Sequence, residues 1–200
     1  ESPEITLEAN PDDVNRTNIA GWKELGINRV SLGIQTFDDD KLAFINRSHH
    51  SREAKDSIEL IASNFENFNA DLIYAIPPAN QEIWKNDVTT LLKYDPTHIS
   101  VYGLTIEEKT VFGKWTQTGK LEEISDSENL HQYQSAIAML ESADYVHYEV
   151  SNFSKHSKYS IHNTSYWKGE PYIGIGPGAH SYDRASRMRN IRNNQKYMKD

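Results

Sequence analysis

Four polar side chains spread over the first 71 residues could form one binding site. Glu8, Gln35 and Asp71 each lie near the end of a segment that reads as a β-strand, and Arg47 sits in the turn that ends the helical stretch after Gln35. Carboxylate and amide groups grip vicinal hydroxyls or an ammonium, and a guanidinium suits a carboxylate. Together they fit a small zwitterionic ligand that carries hydroxyls. None of the four is a nucleophile with an adjacent base, so the pattern points to binding, and no catalytic residue is assigned. A second cluster follows at His162, where Tyr166 and Trp167 offer rings that could stack on a flat ligand. Other patterns carry less. Gly174-x-Gly176-Pro177-Gly178 lacks both the GxGxxG spacing and a Walker lysine and is expected to be a tight turn. The histidines, including His49-His50, His156 and His180, show neither an HxxxH nor an HExxH helix, so no metal ligand is assigned.

The elements that must position these groups alternate regularly. Ile5 to Ala9 reads as a strand, and Asn15 caps a helix stopped at Gly26. In Asn28 to Phe37, Val30, Leu32 and Ile34 form an apolar face while Ser31, Gly33 and Gln35 form a small polar one, where a buried strand would be oily on both sides. A helix from Asp38 to Asn46-Arg47 follows, then one capped by Ser51 and ending before Asn64. Strands at Asn69–Ile76 and His98–Leu104 flank a helix over 81–94, with Asn69 and Asp71 on one face. Ser125 caps a long helix to Ala143, and Tyr145–Val150 reads as a fifth strand. Such βαβ repetition predicts a parallel sheet, open or closed into a barrel, whose carboxyl strand ends are the usual ligand-binding edge.

Bulk properties narrow the class of function. The 21 basic and 29 acidic side chains give a net charge of -8, which argues against binding to nucleic-acid phosphates or anionic membranes. Residues 183–200 reverse the sign locally, and a solvated helix or strand end is expected there. No apolar run is long enough to span a bilayer and no secretory signal opens the chain, so a cytoplasmic location is expected. With no cysteine, the chain can hold neither a disulfide framework nor a thiolate-bound metal or iron–sulfur cluster.

Eight motifs, namely ITLEANP, NRVSLGIQTF, the Asn46-Arg47-Ser48-His49 turn, DLIYAIP, HISVYGLTIEE, YEVSNF, HNTSYW and YIGIGPGAHSY, occur in the order and approximate spacing of one family. The chain resembles radical S-adenosylmethionine proteins related to oxygen-independent coproporphyrinogen III oxidase, and most closely their heme-chaperone (HemW-type) branch, for which HNxxYW is distinctive. The resemblance implies the later part of a partial, TIM-like (β/α) radical-SAM barrel in residues 1–150 and an appended segment in 151–200. It implies S-adenosylmethionine held over a [4Fe–4S] cluster, with Gln35 and Asp71 on the ribose, Arg47 on the methionine carboxylate, Glu8 as a polar contact, and Thr105 as a further cofactor contact. His162, Asn163, Tyr166 and Trp167 match the motif associated with heme. Heme or porphyrinogen as ligand, and hemoprotein clients as partners, are the implied expectations. The parent protein is expected to be a heme chaperone; the alternatives are oxidative decarboxylation of coproporphyrinogen III and, for this chain by itself, a non-catalytic domain. The family's CxxxCxxC loop is absent, so its cluster ligands would lie upstream and the chain alone is expected to be inactive. The family's usual Gly-Leu-Pro-Gly-Gln is here Ala75-Ile76-Pro77-Pro78-Ala79-Asn80-Gln81.

Overall fold

A computed structural model describes residues 3–199. Up to Tyr159 the chain forms one compact unit, and residues from Ser160 form a second. The first unit runs β1 (Thr6–Ala9), a 3₁₀ turn (Pro11–Asp13), α1 (Arg16–Glu24), β2 (Arg29–Gln35), α2 (Asp39–Phe44), α3 (Ser51–Ala62), β3 (Phe68–Tyr74), α4 (Gln81–Leu92), β4 (His98–Gly103), α5 (Val111–Gln117), α6 (Asp126–Glu141), β5 (Val146–His147) and β6 (Asn152–Ser154). Its sheet has the order β1-β2-β3-β4-β6-β5, with the first four strands parallel. The α/β class and the parallel run are those expected from the βαβ repetition.

Period-two alternation splits the sheet into two chemically different faces. Val30, Leu32, Ile34, Ala70, Leu72, Ile99, Val101 and Phe153 are all essentially inaccessible. They pack with Ile58, Ile61, Val88, Leu91, Ala136 and Leu140 from the helices in one core. Each of the Val, Leu, Ile and Phe side chains contributes roughly 2 kcal/mol on burial, which is what holds the helices on this side.

The fifth strand differs from expectation. Only Val146–His147 is extended, and it lies at the sheet edge; the place beside β4 is taken by β6, antiparallel to it. A tight reversal over 148–152 causes this, closed by Asn152 N–H donating to the Glu149 carbonyl and Tyr148 N–H to that of Asn152. The sheet therefore extends past Val150, where the barrel core was expected to end. Other boundaries shift for local reasons. The second helix stops at Phe44 because Asn46 turns left-handed (φ 57°), and β3 stops at Tyr74 because Ala75 does the same (φ 60°). His50, not Ser51, occupies the N-cap of α3, its N–H donating to Glu53 Oε2 at 2.8 Å.

The second unit holds α7 (Ile161–Trp167), a hairpin of β7 (His180–Tyr182) and β8 (Arg187–Arg189), and α8 (Asn194–Tyr197). The Gly174–Gly178 stretch is the tight turn expected: Gly176 and Gly178 have φ of 103° and 74°, and a Cβ on Gly174 would lie 2.1 Å from the His180 carbonyl oxygen. The basic residues Arg187 and Arg189 are exposed on β8. Among the described residues, no helix is long and apolar enough to cross a membrane.

Candidate cofactor site

The face of the sheet opposite the apolar core is polar across its whole width. In register order it carries Glu8 beside Ser31, Ser31 beside Asn69, Asn69 beside His98, Asp71 beside Ser100, and Ser100 beside Asn152. Asn69 is the hub. Its amide nitrogen donates to Ser31 Oγ and to Asp71 Oδ1, both at 2.7 Å. Its carbonyl oxygen lies 2.6 Å from His98 Nδ1 and accepts from Ser100 Oγ at 3.2 Å. An amide oxygen only accepts, so His98 carries its proton on Nδ1, leaving Nε2 to accept from the Tyr148 hydroxyl at 2.6 Å. Burial pushes the His98 pKa down to about 3, which keeps the ring neutral.

Burial also pushes the Asp71 carboxyl up to about 6, against the hydrogen bond from Asn69 that favours its charged form; the negative charge of Glu8 adds to the upward push. Arg29, at the start of the same face, is only 4% exposed. Desolvation lowers its pKa while Glu4, Tyr148 and Asp71 oppose that, and its Nε has no hydrogen-bond partner.

At the carboxyl end of β2 the polar face opens into a cradle around Gly33. A Cβ there would lie 2.8 Å from Gln35 Nε2, 3.1 Å from Arg47 Nη2 and 3.7 Å from the Ala9 carbonyl oxygen. The missing side chain is thus what allows an amide, a guanidinium and a backbone carbonyl to meet. Gln35 reaches this position through a register irregularity after Leu32 and a left-handed backbone (φ 71°). Such a conformation costs a non-glycine residue on the order of 1 kcal/mol. Arg47 is brought in by the Asn46 reversal, and its Nη2 donates to Asn10 Oδ1 at 2.7 Å and to the Gly33 carbonyl at 3.2 Å. The rest of that turn is fastened to the same strand ends, with Ser48 Oγ donating to Asp12 Oδ2 at 2.9 Å and His49 Nε2 lying 3.3 Å from the Ile34 carbonyl. His49 is therefore a buried structural residue, in keeping with its ordinary reading in the sequence.

Of the residues singled out from sequence, Gln35 and Arg47 meet over Gly33, and Asp71 lies on the same polar face within electrostatic reach of Glu8. Glu8 is exposed, on edge strand β1. Thr105 lies past the end of β4, where its hydroxyl is 3.5 Å from the Gly103 carbonyl, the edge of a hydrogen bond. His162, Asn163, Tyr166 and Trp167 share α7 in the second unit, and the His162 and Tyr166 rings meet edge-on with centroids 4.8 Å apart. Tyr166 meets Tyr172 in the same way at 4.7 Å, and Trp167 is 63% exposed. Sequence reasoning missed the role of Gly33, the buried Arg29, and the His98–Asn69–Tyr148 chain. The alternation of His98, Ser100 and Tyr102 was the signal available for part of it.

Comparison with known proteins bears on the fold and the family. The model of the Radical SAM superfamily matches residues 1–91. The heme chaperone HemW of Synechocystis sp. is 39% identical over 180 residues, covering 90% of this chain and 44% of that protein. HemW of Bacillus subtilis is 37% identical over 189 residues, covering 94% and 50%. The chain thus spans about half the length of the curated relatives it matches. Among solved structures, coproporphyrinogen III oxidase (HemN) from Escherichia coli, described as a radical SAM enzyme, superposes with a TM-score of 0.80 over 98% of this chain and 48% of that one, at 19% identity. That likeness shows the fold. Residues 1–91 thus match the Radical SAM superfamily model, and most of the chain is similar in sequence to proteins named as heme chaperones.

Proposed function

We propose that the strand ends of this chain bind S-adenosylmethionine and that its second unit binds heme, as part of a heme chaperone. The observation that carries the first half is the Gly33 cradle. Arg47 supplies a planar cation matched to a methionine carboxylate, and Gln35 supplies donors and an acceptor for a ribose diol. Asp71, ionised at pH 7 with a pKa of about 6, supplies acceptors for hydroxyl donors on the same face. Glu8 and Thr105 are the outer members of the set. When bound, S-adenosylmethionine supplies the carbon–sulfur bond whose cleavage begins the family's radical chemistry. The chain's residues hold and orient it. They do not fit an iron–sulfur cluster, because the 200 residues offer oxygen and nitrogen donors but no thiolate.

The second half rests on His162, Tyr166 and Trp167 presented on one short helix, together with the sequence kinship to proteins named as heme chaperones. Two titrations test the reading on the 200-residue chain. S-adenosylmethionine binding by calorimetry should be lost or weakened about 30-fold or more in Arg47→Leu, the worth of one charge-assisted pair. Heme titration should give a Soret band whose position or intensity changes in His162→Ala. Equal affinity of Arg47→Leu and the parent would remove the cofactor assignment, and identical spectra would remove His162. Turnover of coproporphyrinogen III by the protein loaded with cluster and cofactor would replace the chaperone reading with that of an oxidase.

A further inference from the structure

Beneath the carboxyl ends of β2 and β3, on the side of α4, lie two buried charges that the cofactor cradle does not use. Lys41 is 7% exposed, and its ammonium donates to the carbonyl of Ile76 at 2.7 Å and to that of Pro78. Both acceptors belong to the segment that departs from the family's Gly-Leu-Pro-Gly-Gln. Asp87 is 2% exposed and accepts from Thr36 Oγ1 at 2.6 Å and from the Phe37 N–H at 2.8 Å, the two residues that follow Gln35. One charge therefore holds the loop after β3, and the other holds the loop after β2.

The two meet at a polar cavity of about 20 Å³, lined by Thr36, Lys41, Asn80, Asp87 and Gln132 among others. That volume admits a single water. An ammonium has three donors, and two of those of Lys41 are engaged; a carboxylate has about four acceptor sites, and two of those of Asp87 are engaged. Each charge acts electrostatically on the other. Gln132 of α6 completes the arrangement by accepting the N–H of Ala75 at 2.8 Å, at a residue with φ of 60°. Gln35 and Ala75, the left-handed residues that end β2 and β3, thus lie next to groups fixed by this buried polar set.

We propose that Lys41 and Asp87, coupled across this cavity, are positioning residues that hold the ends of β2 and β3 in fixed relation and so set the spacing of Gln35 and Asp71. The proposal rests on the reading of those two residues as cofactor contacts. Neither Lys41 nor Asp87 touches the cofactor in this scheme.

The test is amide hydrogen exchange on the full chain, compared among the parent, Lys41→Met and Asp87→Asn, with S-adenosylmethionine affinity measured in parallel. Each single variant should speed exchange about tenfold or more at both Phe37 and Ile76, Ala79 and Asn80, and should weaken S-adenosylmethionine binding about tenfold. The amides of Val30 and Leu32 should exchange as in the parent. If Lys41→Met loosens only Ile76 to Asn80 and Asp87→Asn loosens only Phe37, the two charges act separately and the proposal falls. If the parent itself binds no S-adenosylmethionine, the cofactor reading fails, while the exchange pattern still decides whether the brace exists. Should Lys41→Met lose its native circular dichroism, Asp87→Asn, nearly isosteric, carries the same decision through exchange at Ile76 to Asn80.

Discussion

Gly33→Ala separates the binding role of the cradle from its structural role. The new methyl would lie 2.8 Å from Gln35 Nε2 and 3.1 Å from Arg47 Nη2. Ordinary contact needs about 3.5 to 4 Å, so the amide tip must retreat by roughly 1 Å and the guanidinium by about half that. Both are the far ends of flexible side chains, and Gly33 does not require a positive φ. The fold therefore yields locally. In a strand, alanine in place of glycine also reduces the freedom of the unfolded chain, an effect of about 0.5 to 1 kcal/mol that offsets the crowding. Net stability should stay within about 1 kcal/mol of the parent, a shift of roughly 2 to 4 °C in Tm.

Ligand binding has no such compensation. A displacement near 1 Å takes the Gln35 amide out of hydrogen-bond range and weakens the charge-assisted contact of Arg47, together about 2 to 4 kcal/mol. Affinity for S-adenosylmethionine should accordingly fall about 30- to 1000-fold. Thermal unfolding and calorimetric titration of the same preparation measure both quantities. Unchanged affinity would mean that the cradle is not the binding site. A stability loss as large as the affinity loss would mean that the tips cannot move and that Gly33 is a packing residue.

Three further outcomes follow from the geometry. Gln35→Gly should be more stable than Gln35→Ala by roughly 0.5 to 1 kcal/mol, because φ of 71° costs alanine about 1 to 2 kcal/mol and glycine nothing, less the roughly 0.5 to 1 kcal/mol that the greater freedom of glycine in the unfolded chain takes back; equal denaturant midpoints for the two would refute the strain argument. Asn69→Leu leaves Asp71, Ser31 and His98 Nδ1 without their shared partner and should cost about 3 to 5 kcal/mol in chemical denaturation, with a loss under about 1 kcal/mol refuting the hub. The pH dependence has two opposed parts. Asp71 and Asp87 move from the ordinary 3.8 up to about 6, so the folded state binds more protons than the unfolded one between these values, and stability falls as pH rises through that window. His98 moves from 6.5 down to about 3, so its contribution rises with pH between those values. Between pH 4.5 and 6, Asp87→Asn should flatten the parent's fall by up to about 1.4 kcal/mol per pH unit, and His98→Gln should steepen it by a similar amount. Parallel curves for all three proteins would show that these groups do not titrate with folding.

The fold was legible where periodicity was long and caps were strong. Asn15 and Ser125 cap α1 and α6 as read, and Val30, Leu32 and Ile34 form the buried face. The polar face of β2 was legible too, because Ser31, Gly33 and Gln35 alternate with those three. The reversal at Glu149 to Asn152 was not, since YVHYEV has the composition of a strand and its break depends on backbone bonds made after Asn152 returns to β4. Gly33 as the centre of the cradle was likewise hidden. A glycine in a strand states only that a side chain is missing, and what fills the space depends on Arg47, fourteen positions later. Nothing in the sequence marks Lys41 and Asp87 as interior, because charged side chains on amphipathic helices are ordinarily solvated; their place between α4 and the strand ends buries them.

A sheet with one oily and one polar face must satisfy the polar side at a cost in specificity of placement, and here that cost has a use. Asn69 can serve Ser31, Asp71, His98 and Ser100 together only if β2, β3 and β4 keep their register, since a slip by one residue would turn the whole set to the apolar side. The same register fixes Asp71 relative to Gln35 and the Gly33 cradle. The polar floor therefore acts as a gauge for the rim: it leaves His98 neutral and committed to Asn69 and Tyr148, and it leaves Asp71, ionised at neutral pH, as a carboxylate with acceptor capacity for a ligand. Strand ends alone would provide the same residue types without that alignment.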